Sequence, residues 1–149
     1  MITYKTGDAS WPELEPGTYN CIAHVCNDKG GWGAGFVLAL SRISRSPELK
    51  YRKYPKDRVL GRVQWCRYTP GLYVVNMIAQ HGYGPERPLS YSALHACLRR
   101  VGRSLDEGDV VHMPRIGCGL AGGSWAIVRL LVWWNLCRKG MRVIVYDLP

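Results

Sequence analysis

The chain has 149 residues, a length that suits one domain burying roughly 70% of the surface its unfolded chain exposes. Hydrophobic residues at 47% and charged residues at 21% are ordinary for a globular protein and exclude a disordered or fibrous chain. Twenty Lys and Arg against 11 Asp and Glu give a net charge of +9, a field that steers anions inward without saying which anion.

Ile2–Lys5 reads as a short strand closed by Thr6-Gly7-Asp8, and Tyr19–Cys26, rich in β-branched and aromatic residues, as a buried strand. Asn27–Gly35 is a glycine-rich turn. Phe36–Ile43 continues as a helix that stops near Ser46-Pro47, and Glu48–Tyr54 adds a turn or two before Pro55. Arg62–Tyr68 and Leu72–Ala79 are β-rich runs across Thr69-Pro70-Gly71, whose chemistry suits the tight reversal of an antiparallel hairpin. After a loop at Gln80–Leu89, Ser90 caps a helix whose Leu94, Leu98, Val101 and Leu105 share one face, ending near Gly108. Val110–Met113 is a short buried strand that runs into a second glycine loop, Pro114–Gly123. Ser124 then caps a helix with a core face of Ile127, Leu130, Leu131 and Trp134; it ends at Lys139-Gly140, and Arg142–Tyr146 supplies a last strand. Strands alternating with helices, plus one hairpin, imply an α/β fold: a mixed, roughly six-stranded sheet in a three-layer α/β/α body formed by residues 1–149 as one domain.

The opening Met1-Ile2-Thr3-Tyr4-Lys5 has no apolar core of signal-peptide length, and the richest late run, Ile127–Leu136, is about ten residues with Arg129 inside it. A cytoplasmic protein without a membrane span is expected. The six cysteines form no CxxC unit and read as reduced, mostly buried thiols with neither disulfide nor metal. The basic residues are spread over Arg42–Arg67, Arg99–Arg103 and Arg129–Arg142, which reads as solvated helix surface.

Both glycine loops sit where a strand ends and a helix begins, the place where α/β sheets gather ligands. Bare backbone N–H groups and the partial positive charge of the following helix make such a turn an anion site. Gly30-Gly31-Trp32-Gly33-Ala34-Gly35 has no Walker lysine followed by Ser or Thr, and the Rossmann GxGxxG spacing is absent.

Thr6-Gly7-Asp8, the strand ending His24-Val25-Cys26-Asn27, Trp32-Gly33-Ala34-Gly35-Phe36 and Met113–Leu120 together resemble a macro domain over essentially the whole chain. The resemblance is closest to the branch of the human terminal ADP-ribose protein glycohydrolase and the yeast ADP-ribose 1″-phosphate phosphatase. It implies ADP-ribose or ADP-ribose 1″-phosphate as ligand. Asp8 would accept from the adenine exocyclic amine, a bond worth roughly 1.5 to 3 kcal/mol; Ala9 would add a backbone contact and Tyr146 would pack near the ring. Gly117, Cys118, Gly119, Leu120 and Ala121 would wrap the diphosphate. Gly33, Ala34 and Gly35 would close over the distal ribose and phosphate, Trp32 beside them would belong to the ligand-binding set, and Asn27 would contact that ribose. The residues alone leave plainer roles open: Asp8 and Asn27 as turn caps, Tyr146 as core, His24 as a core histidine, His81 as a loop histidine.

In the glycohydrolase branch an attacking lysine follows the middle strand and an aspartate follows the second Gly-x-Gly-Leu. Here those places hold Ala79 or Gln80, and Ala121, so that mechanism does not transfer. The phosphatase branch has a histidine where His24 lies, and imidazole attacks phosphorus or shuttles a proton near neutral pH; His81 is its candidate partner. The expected protein is a monomer with no cofactor that hydrolyses an ADP-ribose derivative: ADP-ribose 1″-phosphate first, an ADP-ribosyl ester or nucleic-acid adduct second. One alternative is a non-catalytic ADP-ribose reader. Another, from the charge and from Trp32, Trp65 and Tyr83, is a basic nucleic-acid-binding module, although no RNP motif, recognition helix or zinc finger is present.

Overall fold

A computed structural model describes residues 1–82 and 88–149; Tyr83 and Gly84, within the expected loop at 80–89, lie outside the described residues. In chain order the elements are β1 (Ile2–Thr6), β2 (Asn20–Asn27), α1 (Phe36–Ile43), α2 (Ser46–Lys53), β3 (Val63–Thr69), β4 (Leu72–Gln80), α3 (Tyr91–Ser104), β5 (Val110–Met113), α4 (Trp125–Asn135) and β6 (Arg142–Asp147). They form one six-stranded sheet of order β1-β6-β5-β2-β4-β3. Neighbours are parallel except β3 and β4, the hairpin expected at Thr69-Pro70-Gly71. The mixed three-layer α/β/α architecture is therefore the one that forms.

Parallel strands covered on both faces are buried along their whole length, and β2 and β4 show how alternation then sorts side chains between layers. Cys21, Ala23, Val75, Met77 and Ala79 join the core under α3 and α4. Ile22 and Val74 pack instead with Leu40 of α1, and Cys26 and Ile78 with Trp32 and Tyr51. His24 and Asn76, paired in register, belong to this second face.

Local signals place the helix starts well. Ser90 caps α3 through a bond from the Ala93 N–H at 3.2 Å, and Leu94, Leu98, Val101 and Leu105 are all buried. Ser124 holds the N-cap position of α4, but its hydroxyl makes no capping bond. Helix α2 starts earlier than the sequence suggests, with Pro47 in its first turn, where a missing N–H costs nothing. Helix α3 ends at Ser104 rather than near Gly108.

The expected core face of α4 is wrong. Val128, Val132 and Asn135 are buried, Leu131 is half-buried, and Ile127, Leu130 and Trp134 are 44%, 59% and 49% exposed. The run Ile127–Trp134 is apolar almost all round, so its period does not choose a phase. The neighbours choose it: α4 packs so tightly on α3 that a Cβ on Gly102 would collide with Asn135 O, and Asn135 Nδ2 bonds His95 Nδ1 at 3.0 Å. Among the described residues, no helix is long and apolar enough to cross a membrane.

Candidate functional site

Because five strands run parallel, the carboxyl ends of β2, β4 and β5 share one edge of the sheet, and both glycine loops leave from it. The first loop is shaped by side chains. Asn27, where the register of β2 against β4 slips, turns its amide under the loop. Its Oδ1 accepts from the N–H groups of Lys29 at 2.9 Å and Gly31 at 3.0 Å, and its Nδ2 donates to Gly31 O at 2.8 Å. Tyr51, fully buried in α2, donates to Asn27 O at 2.6 Å and accepts from Gly30 N at 2.9 Å. Trp32 is buried against Val37, Tyr51 and Ile78 and donates Nε1–H to Ser41 Oγ at 2.8 Å. Residues Gly33, Ala34 and Gly35 are thereby left exposed at the head of α1. Gly35, its N-cap, holds φ +79, where L side chains are strained.

The second loop is shaped by backbone bonds and by one leucine. Cys118 N donates to Arg115 O at 3.2 Å, Gly122 N to Gly119 O at 3.1 Å and Gly123 N to Gly117 O at 2.7 Å. Leu89 N donates to Ala121 O at 3.1 Å, and the Leu89 side chain fills the space where side chains on Gly117 or Gly123 would stand. Gly117 also holds φ +70.

Between the loops lies a cavity of about 990 Å³ walled by His24, Asn27, Gly33–Val37, Gln80, Pro114–Gly117 and Gly119–Ala121, among others. A Cβ on Gly35 would come within 3.4 Å of Leu120 Cδ1, so the loops approach closely across its opening. Among the described residues, none supplies an acceptor to the main-chain N–H of Gly33, Ala34, Gly35, Gly119, Leu120 or Ala121. Asn27 uses one of its two amide hydrogens on Gly31 and keeps the other.

Of the residues expected from sequence, the cavity wall thus unites His24, Asn27, Gly33, Ala34, Gly35, Gly117, Gly119, Leu120 and Ala121. Others stand elsewhere. Trp32 is 4% exposed and braces the loop from beneath. The Cys118 thiol turns to Ile116 O at 3.3 Å. Asp8 is exposed, its Oδ1 accepting from Ser10 N at 2.9 Å and Ser10 Oγ at 2.6 Å. Ala9 and Tyr146 are buried together with Val110 and Ile144, and reach the cavity only through Phe36, which packs on them and lines it. Trp65 lies on β3, the outermost strand, and packs against the core under α3 and α4, whereas Trp32 packs on the other face of the sheet.

His24 is 1% exposed. Asn76 donates Nδ2–H to Pro47 O and Gln64 Oε1, which turns its Oδ1 to His24 Nε2 at 2.6 Å; the ring proton therefore resides on Nε2. Burial pushes the imidazole down to about 4, against a smaller upward pull from Asn76. The ring is neutral at pH 7, edge-on to Trp32 at 5.6 Å, and Cys26 Sγ lies 3.9 Å from its Nδ1. Gln64 Nε2 in this network is buried without a partner among the described residues. Cys21 and His24 are spaced as a metal-ligand pair would be, but three residues along a strand they point to opposite layers. No cluster suited to a metal occurs among the described residues.

His81 does not meet His24. Its Nδ1 lies 2.8 Å from Asp28 Oδ2, and Asp28 Oδ1 accepts the Gly82 N–H at 2.7 Å. Burial pulls the Asp28 carboxyl up, but the bonds from Gly82 and His81 and the charges of His81 and Lys29 outweigh it and hold it below the usual range. Sequence reasoning missed Asp28, Tyr51 and Leu89, none of which carries a local signal, and also His112, whose ring bonds Tyr146 Oη and Asn20 Oδ1, both at 2.8 Å. Arg115, the cation of the cavity wall, is held bidentate by Asp147 at 2.7 and 2.9 Å.

No protein-family model matches the chain. It is 44% identical to a solved macrodomain protein from Streptomyces coelicolor, covering 99% of both chains with a TM-score of 0.84. The chromodomain-helicase-DNA-binding protein 1-like of Danio rerio is 26% identical over 97% of this chain, which spans about 15% of that protein's length. In fold the chain is also similar to Thermosipho africanus DarTG in complex with ADP-ribose, at 16% identity and a TM-score of 0.69 over 87% of this chain and 38% of that one.

Proposed function

Because the chain belongs to the macrodomain family, we propose that the cavity between the glycine loops binds ADP-ribose. The observation that carries this reading is the convergence of acceptor-free N–H groups from Gly33–Gly35 and Gly119–Ala121 on one cavity whose rims approach closely at Gly35 and Leu120. A diphosphate takes such donors without a side chain in the way, and the N-termini of α1 and α4 add to the field. The DarTG complex supports the choice of ligand for this fold. In this reading Gly117–Ala121 hold the diphosphate, Gly33–Gly35 and the spare Asn27 amide hydrogen hold the distal ribose, and the adenine lies toward Phe36, near Ala9, Tyr146 and the free lone pairs of Asp8. Calorimetry with ADP-ribose tests it: wild type evolves heat and Gly35→Val, which fills the site and strains φ, does not. A folded wild type that evolves none sinks the reading.

Within the family we place the chain nearest the glycohydrolase and phosphatase branch that His24-Val25-Cys26-Asn27 and Pro114–Leu120 resemble, and assign it hydrolysis of an ADP-ribose derivative. The substrate is ADP-ribose 1″-phosphate or an ADP-ribosyl ester or adduct on protein or nucleic acid. His24, neutral and with its proton held by Asn76, offers only the Nδ1 lone pair, the form of imidazole that attacks phosphorus. The depth of His24 and its weak basicity also favour a second reading, a reader that leaves its ligand unchanged. Mass spectrometry of the 1″-phosphate and of an ester substrate after incubation separates the two. Phosphate release by wild type but not by a His24→Ala variant of equal affinity supports attack by His24; intact ligands throughout support the reader.

A further inference from the structure

Past the ends of the neighbouring strands β2 and β4 an aspartate and a histidine meet. Asn27 and Gln80 are register partners and both wall the cavity; one residue further on stand Asp28 and His81. Asp28 N donates to Gln80 O at 3.0 Å, its Oδ1 accepts from Gly82 N at 2.7 Å, and its Oδ2 lies 2.8 Å from His81 Nδ1. The carboxylate is thus fixed at both oxygens and is only 15% exposed, whereas the imidazole is 69% exposed. A carboxylate on Nδ1 selects the tautomer that carries its proton there and leaves Nε2 as an acceptor. This is the arrangement in which a histidine takes a proton from a nucleophile while a second group orients it. His24 contrasts at every point: it lies deep, and its polar partner is a neutral amide. The carboxyl ends of the strands are also where α/β sheets present reactive groups.

On the strength of the ADP-ribose cleft proposed above, we infer that His81 is the general base for hydrolysis at this site and that Asp28 is its positioning residue. With an ADP-ribosyl carboxylate ester, His81 Nε2 takes one proton from a water molecule while the water oxygen bonds to C1″ of the distal ribose. The C1″–O bond breaks, its electron pair leaves with the carboxylate, and the imidazolium returns the proton to solvent. One water is consumed, and ADP-ribose and a free carboxylate are the products. The dyad itself does not line the cavity; it stands one residue beyond Asn27 and Gln80, which do, on the side where an attached macromolecule would remain outside.

The test measures ADP-ribose affinity by calorimetry and release of ADP-ribose from a glutamate-ester peptide by mass spectrometry, using the full chain. His81→Gln is expected to lower kcat by about 10²-fold or more with ADP-ribose affinity unchanged. Asp28→Asn keeps an acceptor for Gly82 N and lowers kcat with KM unchanged, and added imidazole restores turnover to His81→Ala. Wild-type kcat in His81→Gln, a loss that follows affinity instead of kcat, or no rescue by imidazole overturns the inference while the cleft stands. The same holds if wild type binds ADP-ribose and leaves the ester intact. A wild type that does not bind ADP-ribose removes the cleft reading itself, and the dyad's role with it.

Discussion

The two glycine loops reach the same cavity by opposite means. The first is tied down by side chains that lie under it: the Asn27 amide and the Tyr51 hydroxyl hold main-chain atoms of the loop, and the loop's own Trp32 indole is anchored on Ser41 of α1. The second is held by its own backbone and by the absence of side chains at Gly117 and Gly123, into whose space Leu89 packs. Deleting atoms therefore damages the first loop, and adding atoms damages the second. Both leave the same product, a row of N–H groups given no acceptor by the described residues, so the proposed anion site does not depend on one kind of scaffold.

The largest expected effect follows from adding atoms to the second loop. A Cβ on Gly123 would stand 2.6 Å from Gly117 O as well as colliding with Leu89, and a main-chain oxygen within a hydrogen-bonded turn has nowhere to go. Gly123→Val is expected to cost about 3 kcal/mol or more in urea unfolding and to abolish ADP-ribose binding. Adding Leu89→Ala should recover only part of the loss, because the carbonyl clash remains. Wild-type stability in Gly123→Val alone would mean that the loop is not packed as described.

Deleting atoms from the first loop comes next. Asn27→Ala removes acceptors from Lys29 N and Gly31 N and the donor to Gly31 O, at a cost of about 3 kcal/mol if those groups find no water. Its amide exchange should rise over Lys29–Gly35 and stay unchanged over Gly117–Gly123. Equal rises in both segments would show that the loops are mechanically one unit, which would dissolve the distinction between them.

These ties also show why some of the architecture was readable in advance and some was not. The hairpin at Thr69-Pro70-Gly71, the Ser90 cap and the glycine loops at strand ends rest on chemistry within a few residues, which a linear reading detects. The buried face of α4 was not readable, because Ile127–Trp134 is apolar around most of its circumference and the choice of face was made by Gly102, which comes from another helix. The residues around the cavity divide the same way. Asn27 and the glycines announced themselves, whereas Asp28 and His81 lie 53 positions apart, and Leu89 acquires its importance only by reaching glycines about thirty positions on. Trp32 could not be placed in advance, because a tryptophan beside a glycine turn suits either a ligand or a core, and only the fold brings Ser41 to its Nε1.

Acid should separate the loops by a smaller amount. His24, beneath the first loop, has a folded value of about 4 against 6.5 unfolded; the unfolded chain binds its proton first. The stability from this ring is complete above pH 6.5 and is lost as pH falls from there toward 4, about 2 kcal/mol of it by pH 5. His112, lowered to about 4 by burial and by Lys5 and Arg142, adds a loss of the same sign under Tyr146. Unfolding free energies from pH 7 to 4 check the sum. Hydrogen exchange at pH 5, corrected for intrinsic rate, should show Gly30–Gly35 opening before Gly117–Gly123, and disappearance of that difference in His24→Gln would assign it to His24.

The smallest effect decides where Trp32 belongs. Ser41 Oγ accepts the Trp32 Nε1–H at 2.8 Å and donates to Glu48 Oε1 at 3.2 Å. Ser41→Ala strands a buried indole N–H, a cost of about 1 kcal/mol, but leaves the ring packed against Val37, Tyr51 and Ile78. If Trp32 only braces the loop from below, stability drops and ADP-ribose affinity does not move, because no atom of the cavity wall is displaced. If the indole instead swings up to meet the distal ribose when ligand binds, it leaves Ser41 to do so, and removing that hydroxyl would tighten binding. A gain in affinity together with the loss in stability would return Trp32 to the binding surface and make the first loop, unlike the second, one that rearranges around its ligand.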